Sequence, residues 1–165
     1  MNEVAAELGT SLIAALKRAR IEFVISVPDI VTSQHLLWPI AADPDIRLLR
    51  ICKEDEGFGI CAGLAACDIR SVLLIQHTGL LDSINGLRAV GIELETPLCL
   101  LVGLQGRQAG APPRVSAEYG VRIVEPILDA MGVPYRLVET ETDVACIPSL
   151  FDEAYDKSCP TVVLL

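Results

Sequence analysis

Hydrophobic residues along this chain follow two alternating patterns. Segments with apolar residues at every third or fourth position alternate with short, uninterrupted apolar runs such as residues 23–27 and 98–102. The first pattern predicts amphipathic helices, and the second predicts strands buried on both faces. The predicted helices lie near residues 4–18, 33–42, 54 onward, 80–90, 123–131 and 143–157, and the predicted strands near residues 23–27, 46–51, 71–75, 98–102, 135–138 and 161–165.

This alternation of helix and strand predicts the fold class. Continuous apolar strands separated by helices indicate a parallel sheet covered on both faces. We therefore predict an α/β fold, a three-layer α/β/α sandwich with a mostly parallel sheet of about six strands, formed by residues 1–165 as one domain. Residues 103–114 are rich in Gly and Pro, which predicts a loop.

Composition and charge narrow the functional classes. The net charge of −9 and the pI near 4.6 argue against a nucleic-acid partner. An anionic ligand would need local basic residues, a metal or a partner subunit. No apolar run is long enough to suggest a membrane span. The 6 cysteines form no Cys-x-x-Cys pair, and the first residues lack an export signal, so we expect reduced thiols and a cytoplasmic protein.

Candidate functional residues follow the predicted strands. Asp29 follows the first strand, Glu54 the second and His77 the third, and Arg107 lies in the loop after the fourth. Because ligands of open parallel sheets bind outside the carboxyl ends of the strands, these four positions predict a site at that edge. Loops are polar in any protein, so the clustering favours a site without proving one.

The segment that begins at Glu54 is the most unusual stretch of the chain. Three acids, Glu54, Asp55 and Glu56, are followed by residues that are mostly small, up to Ala66. The helix dipole favours acids in a first turn, so a solvated first turn explains them as well as a carboxylate placed beside a ligand does. The small residues allow another surface or a cofactor to approach the helix closely.

Four stretches, in order, resemble those of a known enzyme family. They are Ser-Val-Pro-Asp at residues 26–29, the acidic and small-residue segment 53–63, Gln-His-Thr-Gly-Leu at 76–80 with Asp-Ser-Ile-Asn-Gly-Leu at 82–87, and the final apolar run 161–165. Together they resemble the alpha subunit of sulfopyruvate decarboxylase and the related phosphonopyruvate decarboxylases. The resemblance is to the pyrimidine-binding domain of thiamine-diphosphate enzymes, and it covers nearly the whole chain.

The resemblance implies a function, a cofactor and a set of site residues. It implies the alpha subunit of a two-subunit, thiamine-diphosphate-dependent decarboxylase of a small 2-oxo acid. Glu54, nine residues before Gly63, would hydrogen-bond N1′ of the cofactor's aminopyrimidine and help the cofactor lose a proton. Glu56 is the alternative if the alignment of this segment with the family pattern is shifted by two residues. The implied residues are Glu54, His77 and Asp29 for catalysis, Glu54, Pro28, Thr78 and Gly79 for the cofactor, and His77, Gln76 and Arg107 for the substrate.

Three of these residues also have structural explanations. His77 stands where the relatives have Asn, so it introduces a group that titrates near neutral pH. The identity of the substrate is therefore left open. His77 also suits a structural role as a hydrogen-bonded residue in a loop turn. Asp29 suits a cap of the next helix. Arg107 suits the binding of an anionic group or a solvated loop.

The chain lacks a motif that thiamine enzymes use to hold Mg²⁺ and the diphosphate. There is no Gly-Asp-Gly followed some 25 residues later by Asn. The resemblance therefore implies a hetero-oligomer in which a beta subunit carries the diphosphate-binding domain and the Mg²⁺, with no metal ligand in this chain. Two alternatives remain, a subunit of a thiamine-dependent carboligase and a non-catalytic interaction or regulatory module with the same fold.

Overall fold

A parallel sheet forms the centre of the structure. The computed structural model describes residues 2–30 and 32–165, and its six strands lie in the order β2-β1-β3-β4-β6-β5 with every neighbouring pair parallel. The predicted parallel sheet of about six strands is confirmed. The strands are β1 Phe23–Ser26, β2 Arg47–Arg50, β3 Ser71–Gln76, β4 Leu98–Gly103, β5 Tyr135–Leu137 and β6 Pro160–Leu164.

Helical segments connect the strands. They are α1 Asn2–Arg18, a π-helical turn Ser33–Leu37 that continues into α2 Trp38–Ala42, α3 Glu54–Ala65, α4 His77–Asp82, α5 Ile84–Gly86, a π-helical segment Leu87–Glu93, a 3₁₀ turn Pro113–Val115, α6 Tyr119–Met131, α7 Glu141–Val144 and α8 Ile147–Lys157. Within the described residues, no helix combines the length and the apolar character needed to cross a bilayer.

On the four inner strands, β1, β3, β4 and β6, alternate residues enter two separate hydrophobic clusters. On β3, Val72 and Leu74 pack into one cluster, while Leu73 and Ile75 pack into the other. The first cluster also receives side chains from α1, α2 and α8, and the second receives them from α3, α4 and α6. Because helices cover both faces of the sheet, the predicted three-layer sandwich is confirmed.

The structure corrects several predicted helix boundaries. The helix predicted from residue 80 begins at His77, directly after β3, and the helix predicted from residue 123 begins at Tyr119. The helix predicted over residues 143–157 is divided into α7 and α8. Pro148 lies in the first turn of α8, a position where its missing N–H costs no helical hydrogen bond, so the chain begins a new helix there.

The strand order opens a crevice between β1 and β3. The connection after β1 packs on one face of the sheet, through Leu36, Leu37 and Ile40, and the connection after β3 packs on the other, through Leu80 and Leu87. Because the two connections leave β1 and β3 in opposite directions, the carboxyl ends of these strands border an opening of the kind where open parallel sheets bind ligands.

Candidate active site

Glu54 lies against the first turn of α4. It is the first residue of α3, and its side chain is half-buried. The backbone of Gly79 in α4 is so close that an added Cβ there would lie 2.3 Å from Cγ and 2.4 Å from Oε1 of Glu54. No side chain fits at position 79 without moving the carboxylate. Glycine at this position therefore sets where the Glu54 carboxylate lies.

The two neighbouring acids have partners of a different kind. Asp55 accepts a hydrogen bond of 2.8 Å from Nζ of Lys53, which lowers the pKa of Asp55. Oε2 of Glu56 accepts from the backbone N–H groups of Cys52, at 3.2 Å, and Lys53, at 3.4 Å. Both acids are exposed. The explanation that these acids form a solvated first turn therefore holds for Asp55 and Glu56. Glu54 differs, because it packs against α4.

The glycines of α3 lie on two faces of the helix. A Cβ at Gly57 would lie 2.4 Å from Leu73 and 3.2 Å from Ile51, so this glycine brings the helix onto the sheet. Gly59 and Gly63 are exposed, and no described atom lies within 4 Å of the place where a Cβ would stand. The close approach predicted for the small residues therefore occurs at Gly57 within this chain, and the face with Gly59 and Gly63 is open.

His77 is buried at the start of α4. Its side chain is 6% exposed, and its imidazole lies against Gly120 in α6, where a Cβ would stand 2.9 Å from Nε2. Within the described part of the chain, Nδ1 has no hydrogen-bond partner. Burial lowers the pKa of His77, although the Gly103 backbone and the Glu118 charge act in the opposite direction. His77 is therefore a neutral, helical residue near pH 7, not a loop residue.

An open pocket of about 360 Å³ adjoins this histidine. Its wall is formed by His77, Thr78, Gln105, Gly106 and Glu118. A chain of hydrogen bonds runs along the rim, from Thr78 Oγ1 to Gln76 Oε1 at 2.8 Å and from Gln76 Nε2 to Gln105 Oε1 at 2.8 Å. The volume lies at the small end of the range for small-molecule pockets.

Asp29 supports the chain that follows β1. Its Oδ1 accepts a hydrogen bond of 2.8 Å from the backbone N–H of Thr32, and its Oδ2 accepts one of 2.7 Å from Oγ1 of the same residue. Thr32 directly precedes the π-helical turn. Asp29 therefore supports the turn just before the π-helical segment and does not cap the segment itself through these bonds, because Thr32 is the N-cap residue. Asp29 is half-buried at the carboxyl end of β1 and follows the exposed Pro28.

Arg107 is engaged within its own loop. Its side chain is 9% exposed, and Nη1 donates to Oε1 of Glu139 at 2.7 Å and to the backbone carbonyl of Ala111 at 3.0 Å. The pKa of Glu139 is lowered, mainly by Arg107. Arg107 lines a separate pocket of about 140 Å³, not the one beside His77. The structure therefore does not bring Arg107 together with His77, and it is not a solvated loop charge.

The second arginine of this loop is also paired. Nε of Arg114 lies 2.8 Å from Oε2 of Glu125, and Nη2 contacts Asp129 and the hydroxyl of Tyr135. The pKa of Asp129 is lowered, first by Arg114 and then by Tyr135. Both arginines after β4 thus connect this loop to the body of the protein.

Sequence reasoning missed two residues beside the pocket, Glu118 and Gly120. Both lie between the end of the predicted loop at residue 114 and the predicted helix start at residue 123, in a stretch with no hydrophobic period. Glu118 lines the pocket, and Gly120 contacts His77. Glycine near the start of a helix was the available signal, since glycine there often marks a close contact.

Similar proteins were found among curated sequences, whereas no family model matches the chain. Sulfopyruvate decarboxylase subunit alpha of Methanothermobacter thermautotrophicus is 29% identical over 153 residues, which are 92% of this chain and 91% of that protein. The subunit of the same name from Methanocaldococcus jannaschii is 28% identical over 91% of this chain and 88% of its own length. The predicted resemblance to sulfopyruvate decarboxylase alpha subunits is confirmed.

A third similar protein differs in its length. Sulfopyruvate decarboxylase of Methanosarcina acetivorans is 28% identical over 132 residues, which are 78% of this chain but only 33% of that protein. The region that resembles an alpha subunit is therefore part of a much longer chain in this protein. The word subunit in the first two names implies that those proteins work together with another chain.

Proposed function

We propose that this chain is the alpha subunit of a two-subunit, thiamine-diphosphate-dependent decarboxylase of a small 2-oxo acid. The similarity to sulfopyruvate decarboxylase alpha subunits supports the reaction class. The observation that carries the proposal is the contact between Glu54 and Gly79. It singles out one carboxylate of three and holds it against α4, at the edge of the sheet where ligands bind.

The described residues fit one half of such a cofactor. The Glu54 carboxylate lies beside the backbone of Gly79. We assign Pro28 and Thr78, which follow β1 and β3, to the cofactor as well. When bound, thiamine diphosphate supplies the nucleophilic carbon and the electron sink that decarboxylation requires. The part of Glu54 is to hold a proton at N1′ of the aminopyrimidine, which a carboxyl group can do and an amide cannot.

The substrate would occupy the pocket beside His77. In the reaction, the bond between the carbonyl carbon and the carboxylate breaks, carbon dioxide leaves, and a proton takes its place to give an aldehyde. His77 is buried, and its Nδ1 is unpartnered among the described residues, so it is suited to exchange a hydrogen bond or a proton with the substrate. Gln76 would contact the substrate from the rim, and Asp29 would assist proton transfer from β1.

Arg107 has the weakest support as a substrate contact. One of its terminal nitrogens is taken up by Glu139 and by the carbonyl of Ala111, and its side chain is nearly buried. Its contribution to substrate binding would be indirect, through the position of the loop that carries Gln105.

A partner chain would complete the site. Three large apolar side chains are exposed near the carboxyl edge of the sheet: Ile30 at 83%, Val115 at 68% and Tyr119 at 67%. Ile30 follows β1, and the other two lie between β4 and α6, so a partner covering this edge would bury all three. We assign the diphosphate and Mg²⁺ to this partner. The longer Methanosarcina protein shows that a larger chain can contain a region of this kind.

Reconstitution tests the proposal. The chain should be co-purified with its partner and assayed with thiamine diphosphate, Mg²⁺ and a panel of 2-oxo acids, with carbon dioxide and aldehyde as the measured products. We expect stoichiometric carbon dioxide and aldehyde only when both chains and both cofactors are present. A condensation product in place of the aldehyde would identify a carboligase, and no turnover of any 2-oxo acid by the assembled complex would support a non-catalytic module.

A further inference from the structure

Among the described residues that line the pocket beside His77, only Glu118 is charged near neutral pH, and its charge is negative. Glu118 lines the pocket together with residues that follow β3 and β4. Its Cγ lies over Gly106, where an added Cβ would stand only 2.5 Å away. The φ of Gly106 is +86°, so both the contact and the backbone conformation favour glycine at this position. The contact directs Glu118 along the wall of the pocket.

The other groups of this wall do not balance the carboxylate. Thr78 and Gln105 are uncharged, and Gly106 has no side chain. His77 is neutral near pH 7, because the effect of burial on its pKa exceeds that of the nearby Glu118 charge. The wall that this chain contributes therefore carries a net negative charge.

None of the three arginines closest to Glu118 along the chain lines this pocket. Arg122 donates to the backbone carbonyls of Ser116 and Ala117, and its guanidinium lies over the ring of Tyr119. Arg107 pairs with Glu139, and Arg114 pairs with Glu125 and Asp129. On the other side of the crevice, Lys53 pairs with Asp55 at 2.8 Å. Arg107, Arg114 and Lys53 are therefore paired with carboxylates of this chain, and none of the four cations lines the pocket beside Glu118.

We infer that Glu118 is a specificity-determining residue that disfavours a second anionic group on the substrate. The substrate would then be a 2-oxo acid with an uncharged, hydrogen-bonding tail, not a sulfonated or phosphonated one. This inference rests on the proposed function. The amide of Gln105 and the hydroxyl of Thr78 offer donors and acceptors to a hydroxyl or similar group, whereas a sulfonate would meet the Glu118 carboxylate at short range.

Substrate competition in the assembled enzyme tests this inference. The measured quantity is the ratio of kcat/KM for sulfopyruvate to kcat/KM for hydroxypyruvate, two acids that differ in the charge of the tail. We expect a ratio well below one for the unaltered enzyme. Glu118→Gln, which removes the charge and keeps the shape, should raise this ratio about tenfold, the scale of a moderate electrostatic term. Glu118→Asp should keep the ratio low.

A matched control removes the same charge elsewhere. Glu22 is exposed and precedes β1 at the opposite edge of the sheet, so Glu22→Gln should leave the ratio unchanged, because solvent and salt screen distant charges. Two results would overturn the inference and leave the decarboxylase proposal standing. One is that the unaltered enzyme prefers sulfopyruvate, and the other is that Glu118→Gln has the same ratio as the unaltered enzyme. If the assembled complex releases carbon dioxide from no 2-oxo acid, the proposed function fails, and the inference fails with it.

Discussion

The first turn of α4, which directly follows β3, and the loop after β4 reach the same edge of the sheet but use their polar residues in opposite ways. After β4, the two arginines are paired with acids, and Arg107 is nearly buried against Glu139. After β3, the buried His77 has a ring nitrogen without a partner in the described part of the protein, and Gly79 leaves room for the Glu54 carboxylate.

This difference separates structural from functional polar residues. A buried polar atom without a partner has an energetic cost of about 1–3 kcal/mol, so its presence suggests a group kept for a ligand. A buried arginine paired with a carboxylate contributes to the position of its loop and has little left to offer a substrate. By this criterion, the first turn of α4 belongs to the proposed site, and the loop after β4 supports it.

The largest effect is expected at Glu54. Glu54→Gln should lower kcat of the assembled enzyme about 10²- to 10⁴-fold, the range of general acid–base catalysis, because the amide cannot manage a proton at N1′. Steady-state kinetics with the preferred 2-oxo acid measure this. Glu56→Gln is the matched control and should have a far smaller effect, since the Glu56 carboxylate is exposed and accepts hydrogen bonds from the backbone N–H groups of Cys52 and Lys53. Equal losses in both variants would contradict the distinction between the two acids.

The contact between the Glu54 carboxylate and Gly79 can also be tested by adding a methyl group at Gly79. Gly79→Ala should displace the Glu54 carboxylate and lower kcat about 10²-fold, as small misplacements of catalytic groups do. It should also destabilise the isolated chain by about 1–3 kcal/mol through overpacking. Gly59→Ala is the control, since a Cβ there meets no described atom and the change should stabilise α3 by up to about 1 kcal/mol. Chemical denaturation of the two variants gives the comparison.

A milder effect is expected for the loop after β4. Arg107→Met should destabilise the chain by about 1–3 kcal/mol, less than for a fully buried pair because Glu139 is partly exposed. Denaturant titration measures this loss, and a double variant with Glu139→Gln should show non-additive losses. A large increase in KM with no change in stability would instead indicate that Arg107 contacts the substrate directly.

The smallest effect is a pH dependence of stability from His77. Because burial lowers its pKa below the ordinary value of 6.5, the folded protein prefers the neutral imidazole. This contribution is fully present above pH 6.5 and is lost as the pH falls from there through the lowered pKa of the folded state. We expect His77→Asn to lose less stability than the unaltered chain between pH 7 and pH 5, as measured by thermal unfolding.

The same substitution has a kinetic consequence. His77→Asn should change the acid limb of the pH–rate profile of the assembled enzyme and shift its ranking of 2-oxo acids. If His77→Asn changes neither the pH dependence of stability, nor the rates, nor the ranking of 2-oxo acids, then His77 is not part of the site.

Much of the fold was predictable because burial leaves a strong periodic signal. Strands such as Ser71–Gln76 and Leu98–Gly103 are apolar on both faces, and this alone indicated a covered parallel sheet. Helix starts were predicted less well. His77 and Tyr119 begin helices with polar or isolated aromatic residues, so the hydrophobic period becomes visible only three to four residues later.

The edge of the sheet that carries the candidate residues was predictable, but their contacts were not. Strand ends placed Asp29, Glu54 and His77 at one edge, since topology alone brings the carboxyl ends of parallel strands together. Whether Arg107 is free or paired depends on Glu139, which is 32 residues away along the chain, and no local pattern connects the two. Glu118 was missed for the same reason, because its position beside the pocket depends on how α6 packs.

The central claim is that this chain contributes only half of a cofactor site, the half that contains Glu54. Isothermal titration calorimetry with thiamine diphosphate and Mg²⁺ tests it directly. We predict no tight binding to the isolated, homogeneous chain and saturable binding to its complex with the partner, weakened in the Glu54→Gln complex. Tight, stoichiometric binding to the isolated chain would contradict the claim.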